Sequence, residues 1–247
     1  MSPPLSSADP AGPPVALITG ASRGIGAATA RLFAHHGYHL LLLARSSTEL
    51  EALATELRSE SCRVETSCVD LCEAQTIAPK VAELLSRGLR PTVVINNAGA
   101  AYTGALAEMS VERWQWLMQL NVTSVLQICQ ATLPALREGG GQIINVSSHA
   151  ARNAFPEWGA YCTSKAALAS LSRCLAEEER AHGIRVSTLT LGAVNTPLWD
   201  TETVHSSFER RAMLTPERVA EALLSLAQQP SSQVVEDLTL MPAAGVL

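Results

Sequence analysis

Val15-Ala16-Leu17-Ile18-Thr19-Gly20-Ala21-Ser22-Arg23-Gly24-Ile25-Gly26 decides the fold of this 247-residue chain. The four leading apolar residues have the length of a buried strand, and the glycine-rich segment after them opens a helical stretch that runs to Gly37. A strand, a tight turn and a helix start in that order gather unpaired backbone N–H groups and the positive end of a helix dipole at one spot. Glycines there let a phosphate come close to the backbone. The pyrophosphate of a dinucleotide fits such a turn.

Outward from this turn, strand-like runs near 15–18, 38–44, 62–67, 92–96, 142–147, 184–190 and 234–240 alternate with helical segments, without an internal linker or repeat. This alternation predicts the α/β class: a doubly wound three-layer α/β/α sandwich around a mostly parallel seven-stranded sheet. One domain is expected over 14–247, behind a loose Pro- and Ser-rich tail at 1–13. A long helix over 110–136 carries Asn121, with Pro134 marking a kink or a frayed end. Trp114 and Trp116 within it read as core or subunit packing.

Composition narrows the function. A net charge of -5 argues against a nucleic-acid surface, and 47% hydrophobic with 17% charged residues is ordinary for a globular α/β protein. The longest apolar run, Leu40 to Ala44, falls far short of the ~18 residues of a membrane span. The N-terminal residues have neither the basic region nor the apolar core of a secretory signal, so a cytoplasmic protein is expected. Six cysteines, at 62, 68, 72, 129, 162 and 174, form no C-x-x-C pair and suit a reducing compartment. His35, His36 and His39 look like a helix end capped by Gly37, not a metal site, and no metal is expected.

Tyr161 and Lys165 lie four residues apart in a helical stretch, which places a phenol and an ammonium on one helix face. A nearby positive charge favours the phenolate and should bring a group of ordinary pKa ~10 toward the range useful for proton transfer.

Together these elements resemble the one-domain branch of the short-chain dehydrogenase/reductase family over nearly the whole chain. The family's Thr-Gly-x-x-x-Gly-x-Gly turn is matched by Thr19 to Gly26, and its Asn-Asn-Ala-Gly element by Asn96 to Gly99. Its helix asparagine is matched by Asn121, its serine by Ser148, thirteen residues before the tyrosine, and its Tyr-x-x-x-Lys by Tyr161 and Lys165. The chain departs from the family's usual Pro-Gly after the sixth strand: Leu191 stands before Gly192, while Thr196 keeps its place. The glycine pair common in the last strand is also missing.

The resemblance implies a Rossmann-type fold and a dehydrogenase that moves a hydride between a nicotinamide and a carbonyl or secondary alcohol. Asn121, Ser148, Tyr161 and Lys165 would be catalytic: Tyr161 as acid/base, Ser148 bonded to the substrate oxygen, Lys165 acting on the phenol and the nicotinamide ribose, Asn121 holding a water. The cofactor would be held by Gly20, Ser22, Arg23, Gly24, Ile25, Gly26, Arg45, Asp70, Asn97, Ala98, Gly99, Tyr161, Lys165, Gly192, Val194 and Thr196.

Arg45 occupies the end of the second strand, where an acidic residue would bind the ribose 2′-hydroxyl of NAD. With Arg23, it favours NADP(H) over NAD(H). Of eighteen basic side chains only Lys80 and Lys165 are lysines, so a lysine at 165 suits a task that arginine's fixed charge does not. The substrate pocket is expected between the segment after Ser148, with His149, Arg152, Phe155 and Trp158, and the loop from Thr196 to Leu214, with Leu198 and Trp199, near Arg210 and Arg211. It admits a hydrophobic ketone or one bearing an anion. A homodimer or homotetramer is expected, with a small molecule as the other partner. A non-catalytic NADP sensor would have no need of Ser148, Tyr161 and Lys165 together. A nucleotide-sugar epimerase of the extended branch would carry a different glycine turn and a larger C-terminal region.

Overall fold

The computed structural model describes residues 12–206 and 208–245, so most of the expected 1–13 tail lies outside the described residues. The strands are β1 (Val15–Thr19), β2 (His39–Ala44), β3 (Val64–Cys68), β4 (Val93–Asn96), β5 (Gly141–Ser148), β6 (Ile184–Leu191) and β7 (Asp237–Leu240). They form one seven-stranded sheet in the order β3-β2-β1-β4-β5-β6-β7, every pair parallel. The helices are α1 (Gly24–His35), α2 (Ser47–Leu57), α3 (Ala74–Leu85), α4 (Val111–Met118), α5 (Ser124–Gly139), α6 (Gly159–Glu179) and α7 (Pro216–Ala227).

Strand residues alternate between two cores, which is why β1 and β2 read as unbroken apolar runs. Ala16 and Ile18 of β1 face a core containing Phe33 of α1, Leu50 and Leu53 of α2, and Val219 and Leu223 of α7. Val15 and Leu17 face the opposite one, built with Ile77 and Val81 of α3, Ile128 and Leu136 of α5, and Leu168 and Leu175 of α6. This is the three-layer Rossmann-type α/β fold. Six of the seven strands lie within two residues of their expected limits at either end; β7 starts at Asp237 rather than near 234.

The expected helix over 110–136 is not continuous. It divides into α4 and α5 about a π-helical turn, Gln119–Thr123, that contains buried Asn121. Pro134 does not fray its end: α5 continues to Gly139 and stops at Gly140, whose φ of 72° ends the helix. The carbonyl that loses its partner to Pro134 belongs to Gln130, an exposed residue whose carbonyl water can satisfy. With leucine in place of the usual proline, Leu191 extends β6 by pairing with Leu240, and Gly192 N–H donates to the Leu240 carbonyl at 2.9 Å.

The turn between β1 and α1 holds the tightest approach made at any described glycine. A Cβ on Gly26 would run into the backbone carbonyl of Gly20, and backbone cannot swing aside as a flexible side chain does. Gly26→Ala is therefore expected to lower stability by about 1–3 kcal/mol, seen as a reduced urea midpoint. Gly37→Asn, at a positive φ with open space around its Cα, should cost much less. Equal midpoints for the two variants would contradict the packing argument.

Candidate active site

The strand order reverses between β1 and β4, and the turns leaving these strands diverge at their carboxyl ends to open a groove. Its volume is about 950 Å³. One end is made by the glycine turn. Gly20 and Gly24 have φ of 64° and 56°, the left-handed region where a side chain is strained. Arg23, at the cap position of α1, makes no side-chain capping bond, and the first turn holds no acidic residue. The helix start therefore presents its N–H groups and dipole without a built-in counter-charge.

Thr19 stitches this turn to the one after β4. Its hydroxyl oxygen accepts from Asn97 N–H at 3.1 Å and Ala98 N–H at 3.0 Å, and Asn97 Nδ2 donates to the Thr19 carbonyl at 2.9 Å.

The middle of the groove is formed by β5 and α6. Ser148 ends β5, with its Oγ accepting from Ala150 N–H at 3.2 Å. Tyr161 and Lys165 occupy the first turns of α6. Lys165 is 6% exposed, and its Nζ donates to the Val146 carbonyl at 3.0 Å. Burial pulls the ammonium down to about 8.

The phenol moves opposite to the direction expected from its neighbour. Burial pushes Tyr161 up to about 12, while the hydroxyl of Ser148 acts more weakly in the other direction. The reason is geometric: Lys165 Nζ lies 5.9 Å from the centre of the Tyr161 ring and spends a proton on β5. The lysine expected to lower the phenol is itself held in a dry place.

Asn121 sits beneath this wall. Its Oδ1 accepts from Ala100 N–H at 2.9 Å, and its Nδ2 donates to the Ala100 carbonyl at 2.9 Å and to Ser164 Oγ at 3.0 Å. Both amide protons are thus committed to protein groups. A Cβ on Gly99 would come 3.2 Å from Asn121 Oδ1 and 3.6 Å from Lys165 Nζ, so the glycine admits both side chains.

Of the residues singled out in the sequence, Gly20, Ser22, Arg23, Gly24, Ile25, Arg45, Asn97, Ala98, Gly99, Ser148, Tyr161, Lys165, Gly192, Val194 and Thr196 line this one groove. Gly26, Asp70 and Asn121 do not line it. Gly26 lies behind the turn, and Asp70 Oδ1 accepts from Cys72 N–H at 2.9 Å while its neighbours Val69 and Leu71 reach the wall. Sequence reasoning missed Ser46, Glu49, Leu71, Trp116 and Met241, which also contribute to the lining, whereas Thr201, Thr203 and Phe208 fall within the expected loop from Thr196 to Leu214. Ser46 and Glu49 adjoin Arg45 and were accessible from that position; Met241 carries no local signal.

The substrate end departs from expectation in its charges. Arg210 is consumed by its own loop: Nε donates to Asn195 Oδ1 at 2.8 Å, Nη1 to Asp200 Oδ1 at 2.9 Å and Nη2 to the Thr196 carbonyl at 2.9 Å. Arg152 pairs with Asp237 at 2.6 Å, and neither it nor Arg211 lines the groove. His149 Nε2 lies 2.8 Å from Asn153 Nδ2. An anionic substrate group would find none of the expected cations waiting for it.

The short chain dehydrogenase family model matches residues 14–206. The chain belongs to this family. It is an oxidoreductase of the short-chain dehydrogenase/reductase type, a class that acts on small molecules. An alcohol dehydrogenase from the archaeon Thermococcus sibiricus, solved in complex with 5-hydroxy-NADP, superposes with a TM-score of 0.85 at 33% identity, covering 93% of this chain and 97% of that one. An uncharacterised oxidoreductase of Staphylococcus saprophyticus is 32% identical, over 92% of this chain and 97% of its own length. A sepiapterin reductase of Chlorobaculum tepidum is 30% identical, over 94% and 97% respectively.

The buried lysine of this dehydrogenase has a measurable consequence. Below pH 8 the folded state carries the full cost of a desolvated ammonium. Between about 8 and the ordinary 10.5 the folded protein releases the proton while the unfolded chain keeps it, so stability should rise with pH across that window. Urea unfolding of wild type and Lys165→Met, from pH 7 to 10.5, should show wild type gaining on the variant by on the order of 3 kcal/mol. Parallel curves would mean that Lys165 is not desolvated.

Proposed function

We propose that this dehydrogenase reduces a carbonyl compound with NADPH, or oxidises the corresponding secondary alcohol with NADP⁺, using Tyr161 as the proton-transfer group. The observation that carries this reading is that Ser148, Tyr161 and Lys165 share a groove with the glycine turn and Arg45. The residues suit a dinucleotide in four ways: the volume of the groove, the uncapped start of α1, the closely packed glycines, and the buried Ser147 hydroxyl, which lines the groove and has no partner among the described residues.

In this reading the glycine turn holds the pyrophosphate, and Asn97, Ala98 and Gly99 flank the adenosine and nicotinamide halves. Gly192, Val194 and Thr196 cover the nicotinamide, Lys165 binds its ribose and Asp70 contributes toward the adenine. When bound, NADPH supplies the hydride. Tyr161 gives its phenolic proton to the oxygen as the carbonyl carbon is reduced, and Ser148 holds that oxygen by a hydrogen bond. A phenol near 12 is fully protonated at neutral pH, the form that carbonyl reduction requires. Asn121 would position a water through which Lys165 communicates with solvent, using atoms other than its two committed amide protons.

Arg45 is exposed at the rim beside Ser46, and its guanidinium makes no ion pair among the described residues. Such an arginine suits a 2′-phosphate, and the NADP analogue in the Thermococcus sibiricus structure supports the same choice. The sepiapterin reductase and alcohol dehydrogenase relatives support the reaction class without agreeing on a substrate. Cytoplasmic location and assembly into a dimer or tetramer belong to the same proposal. Exposed Val111 on α4 and Leu126 on α5 suit pairing through those helices, and no helix among the described residues is long and apolar enough to cross a membrane.

Tyr161→Phe should lower kcat by about 10²–10⁴ while leaving the NADPH dissociation constant within a few-fold, because it removes the proton but keeps the ring. Substantial residual turnover would remove Tyr161 from this role. For cofactor choice, a charge-assisted contact from Arg45 should favour NADPH over NADH by roughly ten- to a hundredfold. Arg45→Asp should reverse that order, and Arg23→Ala should only narrow it. Fluorescence titration with both reduced cofactors at fixed salt checks this; equal wild-type affinities would contradict it.

A further inference from the structure

The substrate end of the groove is walled by aromatic faces. Trp158 and Phe208 lie with their rings nearly parallel, 6° apart in orientation and 6.4 Å between centres. Trp199 stands edge-on to both, at 5.9 Å from Trp158 and 5.5 Å from Phe208. The same Trp158 meets Tyr161 edge-on at 5.7 Å, so the cluster is continuous with the ring that carries the reactive hydroxyl. Three rings drawn from α6's cap and from two places in the loop after β6 thus form one cluster, which Trp158 joins to Tyr161.

Several polar groups at this end are already spent. Trp199 Nε1 donates to the Val194 carbonyl at 2.7 Å, which fixes that indole as a rigid wall. Thr201 gives its hydroxyl proton to the Leu198 carbonyl at 2.8 Å, and Thr203 gives its own to the Ala101 carbonyl at 2.8 Å. The cations that line the groove are Arg23, Arg45 and Lys165; the first two lie at the far end, and the third is buried under Tyr161. Of the two carboxylates in the lining, Asp200 is paired with Arg210 and Glu202 contributes negative charge instead. Such a pocket has little to offer a carboxylate, and a large apolar surface with quadrupolar edges to offer a planar ring.

We infer that the substrate is a neutral carbonyl compound with an aromatic ring next to the reacting carbon, or its benzylic alcohol, seated against Trp158, Trp199 and Phe208. This rests on the hydride-transfer reading for its chemistry but not for its binding. Phe208 and Trp158 are the specificity-determining residues: they contact the substrate's ring and leave the reacting oxygen to Ser148 and Tyr161.

The test separates binding from turnover. Calorimetric dissociation constants of acetophenone, cyclohexyl methyl ketone and 3-acetylbenzoate are measured with and without NADP⁺, on wild type, Phe208→Leu and Trp158→Leu. Reduction of the same compounds is followed by loss of NADPH absorbance. Wild type should bind acetophenone about tenfold more tightly than either comparison compound, and the preference over the cyclohexyl ketone should shrink to about threefold or less in each variant. Phe208 lies on a surface loop, so its variant answers the question if Trp158→Leu unfolds. Equal affinities for the three compounds, tighter binding of 3-acetylbenzoate, or an undiminished preference in Phe208→Leu overturns the proposal. Aromatic selectivity in binding with no turnover keeps the pocket assignment and removes the hydride-transfer reading; turnover without selectivity does the reverse.

Discussion

Helix α6 is tied to the rest of the protein by polar bonds at residues 165, 172 and 179, seven apart and therefore on one face. Lys165 donates to the Val146 carbonyl of β5, Ser172 Oγ accepts from Asn145 Nδ2 of the same strand at 2.8 Å, and buried Glu179 pairs with Arg137 of α5. Leu168 and Leu175 lie between them in the core. Apolar contacts hold a helix against a sheet but tolerate sliding. Buried polar groups do not, because a displaced one loses its partner at the full desolvation cost. These ties set how far along β5 the helix begins, and thus bring Tyr161 opposite Ser148.

The same requirement shapes the layer beneath. Asn145 accepts from Asn96 Nδ2 at 2.9 Å, linking β4 and β5 at the level where the groove opens. The π-helical turn at 119–123 lets Asn121 reach the Ala100 backbone and Ser164 of α6 together, and Gly99 leaves room for it beside Lys165. A regular helix across this stretch would present its side chains in a different register. The glycines of the turn and the asparagines of the sheet therefore serve one end: backbone and side chains packed closely enough to leave a groove with fixed walls.

Charge is distributed unevenly along that groove. Arg23 and Arg45 are exposed near the start of α1, where the helix dipole adds to their potential. Toward the substrate end, Arg210 is spent in holding Asn195, Thr196 and Asp200 together, which makes it part of the loop's framework. Arginine suits this because one planar fork can satisfy three acceptors at once. The groove is cationic at one end and aromatic at the other.

The sequence by itself determined the three-layer class, the position of most strands and many of the groups that meet in the groove, because strand burial, glycine turns and the 161/165 spacing are local properties written within a few residues. Even Arg45 could be placed from its distance to the glycine turn. Only the tertiary structure decided the state and surroundings of those groups. That Tyr161 is pushed up to about 12, that Lys165 turns toward Val146, that Arg210 is unavailable and that Phe208 joins Trp158 and Trp199 all depend on contacts between segments distant in sequence. Desolvation and hydrogen-bond partnership arise from whatever the fold packs around a residue, and no local pattern encodes them.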